Sequence, residues 1–454
     1  MVKVSTKSVY VKSFLLAFTA QACFAIVLFL LYGEDVFTHP DTASYIAPAL
    51  ELRGYGRFYA GGVPEIVRTP GYPLFLSFFV RLPDWKIWVV VAQCVLAASV
   101  AVMTYELTRI LWNAKAAAFA TVLYVLSPLT LLYSSALLTE RLSSFLLALI
   151  CVVMLFYIRT CANRWLAVAG FLVAALAFVR PVAVYAPLGC VFFIVVRGIT
   201  HRKLSLHMLA GALLFVVCAL APVKLWELRN ERLTGYGGFS AISSLSLYFY
   251  NAGGVLAAKE GVSFPAMLEK MGYYDHEIFS EKHPEVDVLP RNERYLWMAH
   301  EGRRIIWENI GIYLGVHVKG MFFTLAMPAT GILVRMSWDD DQPGFRKMKE
   351  GLSLPSFVVA LFQKMPWTVL ILGSSALLLF MYYIFAMYGF LGAWSRNWLL
   401  SFFMLGIIFY FVLVSGGPAA TCRFRDPFAF LFAVWAGIGI AKIVWRKDDC
   451  RNVE

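Results

Sequence analysis

With 454 residues, 60% of them hydrophobic and only 15% charged, and a mean hydropathy of +0.70, the chain carries more apolar surface than a water-soluble protein of its size can hide. Several apolar runs reach the roughly 18–20 residues that cross a bilayer, so the composition excludes a soluble enzyme and defines an all-α polytopic membrane protein. The net charge of +12 does not indicate a nucleic-acid partner, because Lys and Arg collect in short loops between apolar runs, as they do on the cytoplasmic side of membrane proteins.

Lys3, Lys7 and Lys12 precede the apolar run Ser13–Tyr32. The run is long and has no clear small-x-small cleavage site, so it reads as a retained first span. Further spans are predicted at Ile87–Trp112, Ala116–Tyr133, Leu142–Ile158, Leu166–Val179, Val182–Val196, Leu206–Leu225, Trp367–Phe390, Trp398–Val414 and Phe428–Trp445. With the N-terminus inside, the inner loops receive Arg109 and Lys115, Arg159 and Arg164, then Arg197, Arg202 and Lys203. Arg396, Lys442, Arg446 and Lys447 complete the positive-inside pattern. About ten spans result, within a range of about ten to thirteen. The range arises at Asn309–Val334, which is apolar but interrupted by His317 and Lys319. Leu352–Phe362 is short for the crossing that would then be needed, so an amphipathic or re-entrant helix on the outer side is the expectation.

The chain accordingly divides into three parts: a transmembrane module at 1–225 with a long first outer loop at 33–86; an outer-face region at 226–366; and the last spans with a short cytoplasmic tail at 367–454. Long outer loops mark that face as the one that works. No internal repeat of the transporter kind is evident. The eight cysteines form no C-x-x-C pair and lie mostly in apolar runs, so they suggest neither a disulfide framework nor a zinc site.

The first outer loop opens with HPDTASY. Asp41 stands where a helix N-cap is expected, and equally where a carboxylate at the membrane surface can take a proton from a substrate hydroxyl. Arg68 follows, before Thr69-Pro70-Gly71-Tyr72-Pro73, where it either snorkels to headgroups or grips a phosphate. Glu140 and Arg141 begin the fourth span, as a mutual ion pair or as functional charges. Arg180 lies in FVRP at the turn between the fifth and sixth spans, and Lys224, Trp226, Arg229 and Asn230 end the seventh. Arg423, Arg425 and Asp426 stand at the mouth of the last span, where outer-side positive charge runs against the usual bias. The carboxylates Asp41 and Glu140 and the arginines Arg68, Arg180, Arg229, Arg423 and Arg425 on one face suit displacement of a phosphate leaving group by a hydroxyl or amine. There is no G-x-x-x-x-G-K-[ST], H-E-x-x-H or G-x-S-x-G, which removes nucleotide-driven pumps, zincins and the common serine hydrolases.

The order of these motifs resembles the GT-C superfamily of integral membrane glycosyltransferases. The nearest likeness is to the bacterial branch related to protein O-mannosyltransferases (family 39) and lipid A aminoarabinose transferases. The matching stretches are Asp41–Tyr45, Arg68–Leu76, LTERLSSFLLAL, FVRP, Trp226–Asn230, NAGGVLA at Asn251–Ala257 and RFRDP at Arg423–Pro427. They run along nearly the whole chain, specific for the superfamily but not for substrate. The resemblance implies a GT-C fold with helices lying along the membrane in the first loop. It also implies a polyprenyl-phosphate sugar donor, inversion at the anomeric carbon, and residence in a bacterial inner membrane with the site on the periplasmic side. By resemblance, Asp41 is the general base and Glu140 a second acid. Arg68, Arg423 and Arg425 hold the donor phosphate, with Tyr45, Tyr72, Arg180 and Arg229 beside them. His317 falls near an E-H-x-x-R-F segment of relatives, although Val316 replaces the Glu and Lys319 comes early.

The chain departs from the pattern in places. Relatives often have paired acids where Asp41 is followed by Thr42, with only Glu34 and Asp35 nearby. No cofactor is required by the motifs, and use of a divalent cation (Mg²⁺ or Mn²⁺), as in some relatives, stays open. Pro222 is displaced from the usual P-W-x-x-R-N spacing, which leaves Lys224 unplaced. No sizeable soluble domain follows the last span, unlike the large oligosaccharyltransferases. The expected partners are the lipid-linked donor, a glycan, glycolipid or protein acceptor, and membrane lipids. A flippase for a phosphate-bearing lipid and a pyrophosphate-dependent glycan ligase are the rival readings.

Overall fold

The computed structural model describes residues 6–200, 205–330, 356 and 366–445. The segment Leu352–Phe362, read as short for a crossing, lies outside them, apart from Ser356, as do Arg202, Lys203, Arg446 and Lys447.

Among the described residues the fold is all-helical apart from one short hairpin. Helices α1 (Thr6–Tyr32), α4 (Trp85–Leu111), α7 (Glu140–Thr160), α10 (Leu206–Thr234) and the stretches Pro181–Thr200, Leu370–Arg396 and Cys422–Val444 are each long and apolar enough to cross a membrane. Among the described residues these are seven, or eight with one bent pair. Three shorter apolar helices accompany them, Asn163–Val179, Ile310–Ala326 and Trp398–Val414, so the expected ten spans are not confirmed as a count.

The bent pair corrects the expected continuous span Ala116–Tyr133. It is two helices, α5 (Ala114–Val125) and α6 (Pro128–Ser135), at 53°. Pro128 is the cause: it has no N–H to continue α5, and it holds Ser127 in an extended conformation at φ −62°, ψ 122°.

The helix that ends the chain's described part, Ala429–Val444, is the centre of the bundle, with Phe430, Leu431, Val434 and Ile438 buried. Leu30, Leu188, Leu206, Leu378 and Phe409 remain exposed on the periphery, where lipid tails are as apolar a solvent as a protein core.

Four segments reach the same end of the bundle and build the site. The loop after α1 forms α2 (Thr42–Tyr55), the hairpin β1 (Tyr59–Ala60) and β2 (Val63–Pro64), and α3 (Gly71–Ser77). The others are the start of α7, the end of α8 (Asn163–Val179), and a 3₁₀ turn at Cys422–Phe428 that leads into the central helix.

Between α10 and Ile310–Ala326 sits a separate small subdomain. It comprises α11 (Ile242–Leu245), a π-helical turn at Ser246–Ala252, α12 (Gly253–Glu260), α13 (Phe264–Lys270), α14 (His276–Lys282), α15 (Pro284–Asp287) and α16 (Arg291–Glu308). Its core is Tyr248, Phe249, Met267, Leu268, Phe279, Val286 and Met298. The next helix, α17 (Ile310–Ala326), is continuous through His317 and Lys319; the rest of the Asn309–Val334 segment beyond 330 is outside the described residues.

A candidate active site built from alternating charges

Thr42, not Asp41, does the local work at the start of α2. The His39 N–H donates to Thr42 Oγ1 at 2.9 Å, and that hydroxyl donates to the Leu137 carbonyl at 3.1 Å. Asp41 has helical backbone angles and makes no side-chain cap, so its carboxylate is available to the site.

Both its oxygens meet arginine. Arg68 Nη2 donates to Asp41 Oδ1 at 2.9 Å, and Arg423 Nη1 to Asp41 Oδ2 at 2.7 Å. The second end of Arg423, Nε, reaches Glu140 Oε1 at 2.5 Å, and Arg180 Nη1 lies 3.4 Å from the same oxygen. The result is an alternating chain: Arg68, Asp41, Arg423, Glu140, Arg180. Charge-assisted bonds of this kind are shorter and stronger than neutral ones. Glu140 is fully buried, and its Oε2 has no partner among the described residues.

Arg68 is aimed by four contacts. Glu65 Oε1 accepts from the backbone N–H of Val67 and Arg68, fixing the turn. The guanidinium lies over the Tyr45 ring at 4.5 Å and donates to Tyr45 Oη at 3.1 Å and Ser44 Oγ at 2.9 Å. Tyr45 packs edge-on against Tyr72, whose hydroxyl donates to Gln93 Oε1 at 3.1 Å. Gly71 is required by close approach: a Cβ there would lie 2.6 Å from the Phe178 backbone at the end of α8, so the turn after Arg68 is pressed against the helix that delivers Arg180.

Burial works against the charge of Asp41, but the Arg423 and Arg68 guanidinium groups outweigh it and hold the carboxyl below its ordinary value. Burial, and then the positive charge of Arg423, holds the neighbouring His39 below its ordinary value, so it is neutral at pH 7.

Asp41, Arg68, Tyr45, Tyr72, Glu140, Arg180 and Arg423 therefore come together. Three predicted residues do not. Arg425 is buried and donates to the carbonyls of Thr324, Leu325 and Met327 and to the Tyr383 hydroxyl, tying off the C-terminal end of α17. Arg229 donates to the Phe58 and Glu65 carbonyls and stacks on Trp226, stapling the first loop to α10. His317 Nε2 meets the Leu413 carbonyl at 2.8 Å.

The local pairs differ from expectation as well. Arg141 does not pair with Glu140; it turns to Asp426 and Tyr124. Glu34 and Asp35 turn to Lys86 and supply no second acid. Lys224 pairs with Glu227 on the surface of α10. Among the described residues no group of three His, Cys, Asp or Glu could hold a metal ion, and both site carboxylates are engaged by guanidinium groups.

His39 and Tyr250 belong beside the cluster and were not singled out from the sequence. His39 feels Arg423, Glu140 and Asp41, and the Tyr250 phenol feels Asp41 and Arg68. Adjacency to Asp41 in HPD could have flagged the first; nothing local flags the second.

The helical bundle, with helices in its first extramembrane loop, has the architecture that the motif order led one to expect. Residues 67–226 match the family of dolichyl-phosphate-mannose-protein mannosyltransferases. Among solved structures, the oligosaccharyltransferase AglB from Archaeoglobus fulgidus, in complex with an inhibitory peptide and a dolichol-phosphate, aligns over 99% of this chain and 52% of its own, at 11% identity and a TM-score of 0.51. The oligosaccharyltransferase of the same archaeon tethered to an acceptor peptide aligns over 99% and 51%, at 13% identity and a TM-score of 0.50. ArnT from Cupriavidus metallidurans bound to undecaprenyl phosphate aligns over 93% and 77%, at 12% identity and a TM-score of 0.38. The chain thus spans about half the length of the archaeal proteins whose fold it shares. No curated relative matches it in sequence.

Proposed function

We propose that this protein is an inverting glycosyltransferase that moves a sugar from a polyprenyl-phosphate donor to a hydroxyl or amine acceptor at the outer, periplasmic face of a bacterial inner membrane. The observation that carries this reading is Asp41 suspended between Arg68 and Arg423. The donor phosphate takes the place of the carboxylates on the guanidinium groups. Asp41, released from part of its pairing, accepts the proton of the acceptor. The acceptor oxygen or nitrogen forms a bond to the anomeric carbon as the bond from that carbon to the phosphate oxygen breaks. The electron pair leaves with the phosphate, where Arg68, Arg423 and Arg180 stabilise it. Attack opposite the leaving group inverts the centre.

A second feature supports a lipid-borne donor. An apolar cavity of about 500 Å³, lined among others by Leu147, Phe193, Phe403 and Phe409, lies between α7, Ala186–Thr200 and Trp398–Val414. The turn Pro181–Tyr185 leads directly from Arg180 to this groove. An isoprenoid tail laid there keeps to hydrocarbon while its phosphate reaches the arginines.

The test is incubation of purified protein with labelled polyprenyl-phosphate sugars and native membrane extract. Product is expected with one donor. Asp41→Asn is expected to slow turnover by about 10²–10⁴-fold while donor still binds. Undiminished activity in that variant would favour a flippase, which needs no base. Mass spectrometry of the spent donor separates a monophosphate from a pyrophosphate.

A further inference from the structure

The α11–α16 subdomain contains a cleft of about 490 Å³, a size that takes a compact organic ligand, between the π-helical turn, the loop before α14, and α16. Its walls include Phe249, Tyr273, Tyr274, Tyr295, Arg291 and Arg294. Tyr274 is 68% exposed and Tyr273 37%, so two rings present open faces although the subdomain has a good apolar core. The rings are fixed edge to face, Phe249 to Tyr273 at 5.2 Å and Tyr273 to Tyr274 at 4.9 Å. Arg294 is neutralised by Asp287 at 3.1 Å. Arg291 is not: among the described residues no carboxylate pairs with it, and its only polar contacts are long ones, 3.4 Å each, to the Tyr295 hydroxyl and the Pro64 carbonyl.

This cleft is joined to the charged site. The Tyr273 hydroxyl is 2.5 Å from the Tyr250 hydroxyl, and Tyr250 is the phenol that feels Asp41 and Arg68. Arg291 reaches Pro64, the residue before Glu65, which sets the Arg68 turn. The cleft wall is thus tied to the segment that sets the Arg68 turn through Arg291 and Pro64, and to Tyr250 through Tyr273.

Resting on that catalytic reading, we propose that the cleft binds the acceptor, and that the acceptor is an oligosaccharide bearing an anionic group. Sugar rings carry apolar C–H faces edged by hydroxyls. Tyrosine faces cover the former, and the phenols and guanidinium groups bond the latter. The unpaired guanidinium of Arg291 calls for a carboxylate or phosphate on the occupant.

The full-length protein in nanodiscs, without donor, is titrated calorimetrically with trigalacturonate, maltotriose and a Ser/Thr-containing hexapeptide. Trigalacturonate is expected to bind, and maltotriose more weakly. Arg291→Gln and Tyr274→Ala are each expected to weaken trigalacturonate by about tenfold or more, with Arg291→Lys recovering part of the loss. Absence of saccharide binding, wild-type affinity in both variants, equal affinity for maltotriose, or tighter binding of the peptide would each overturn the proposal. Asp41→Asn is expected to bind trigalacturonate as the wild type does. Saccharide binding together with full transfer by Asp41→Asn would overturn the catalytic reading alone. No saccharide binding together with an inactive Asp41→Asn would overturn the acceptor cleft alone.

Discussion

At the scale of single residues, two arginines two positions apart have different work. A 3₁₀ turn has three residues per turn, so side chains at i and i+2 point about 120° apart. Within Cys422–Phe428, Arg423 faces Asp41 and Glu140, while Arg425 faces the carbonyls that end α17. Arg423→Gln is expected to weaken donor binding by about tenfold or more, the loss of a charge-assisted phosphate contact. Arg425→Gln is expected to leave donor affinity near wild type and to lower stability by about 1–3 kcal/mol, through buried carbonyls left without a donor. Donor titration and thermal unfolding of both variants separate the two roles. Asp41 supplies a pH signature. Its folded-state pKa lies below the unfolded value of about 3.9, so the stability it contributes is fully present above that pH and is lost as pH falls through the folded pKa. The gap in Tm between wild type and Asp41→Asn is expected to be flat from pH 7 to about 4 and to narrow below. Narrowing already between pH 6 and 5 would show that Asp41 is not held low.

At the scale of elements, the pair Arg141–Asp426 ties α7 to the turn that carries Arg423, and both partners are fully buried. Breaking such a pair strands a charge. Arg141→Met is expected to cost about 3–5 kcal/mol, and Arg141→Met with Asp426→Leu distinctly less, since the pair is then removed whole. Near-additive losses in the thermal unfolding of the double variant would argue against a direct pairing. This pair was legible in the sequence as charge but not as geometry. Glu140 and Arg141 are neighbours in the chain, yet neighbours on a helix do not face each other, so each turns to a different element. The N-cap expected of Asp41 failed for a related reason: Thr42 could satisfy the turn, leaving the carboxylate to the arginines. Motif order along the chain named residues that come together, because Asp41, Arg68, Glu140, Arg180 and Arg423 each lie at or near a helix terminus at one end of the bundle. It could not separate them from Arg229, whose guanidinium turns to backbone carbonyls, or from His317, whose Nε2 meets one.

At the scale of the whole molecule, composition was enough for a polytopic helical fold, while the number of crossings was not legible. Helices of 17 residues, such as Asn163–Val179 and Trp398–Val414, sit at the lower limit of bilayer thickness. The Pro128 break splits one span in two. The charge balance at the site's end of the bundle has a further consequence. The carboxylates of Asp41 and Glu140 occupy the guanidinium groups that a phosphate would seek. The site thus carries its own counter-ions, and under the proposed chemistry a lipid phosphate displaces them instead of filling a bare positive site. Under that chemistry the arrival of the donor phosphate unlocks the proton acceptor, whether or not the acceptor is already bound. On the same proposal, a clamped base cannot activate a stray water and spill the sugar before the donor phosphate is in place.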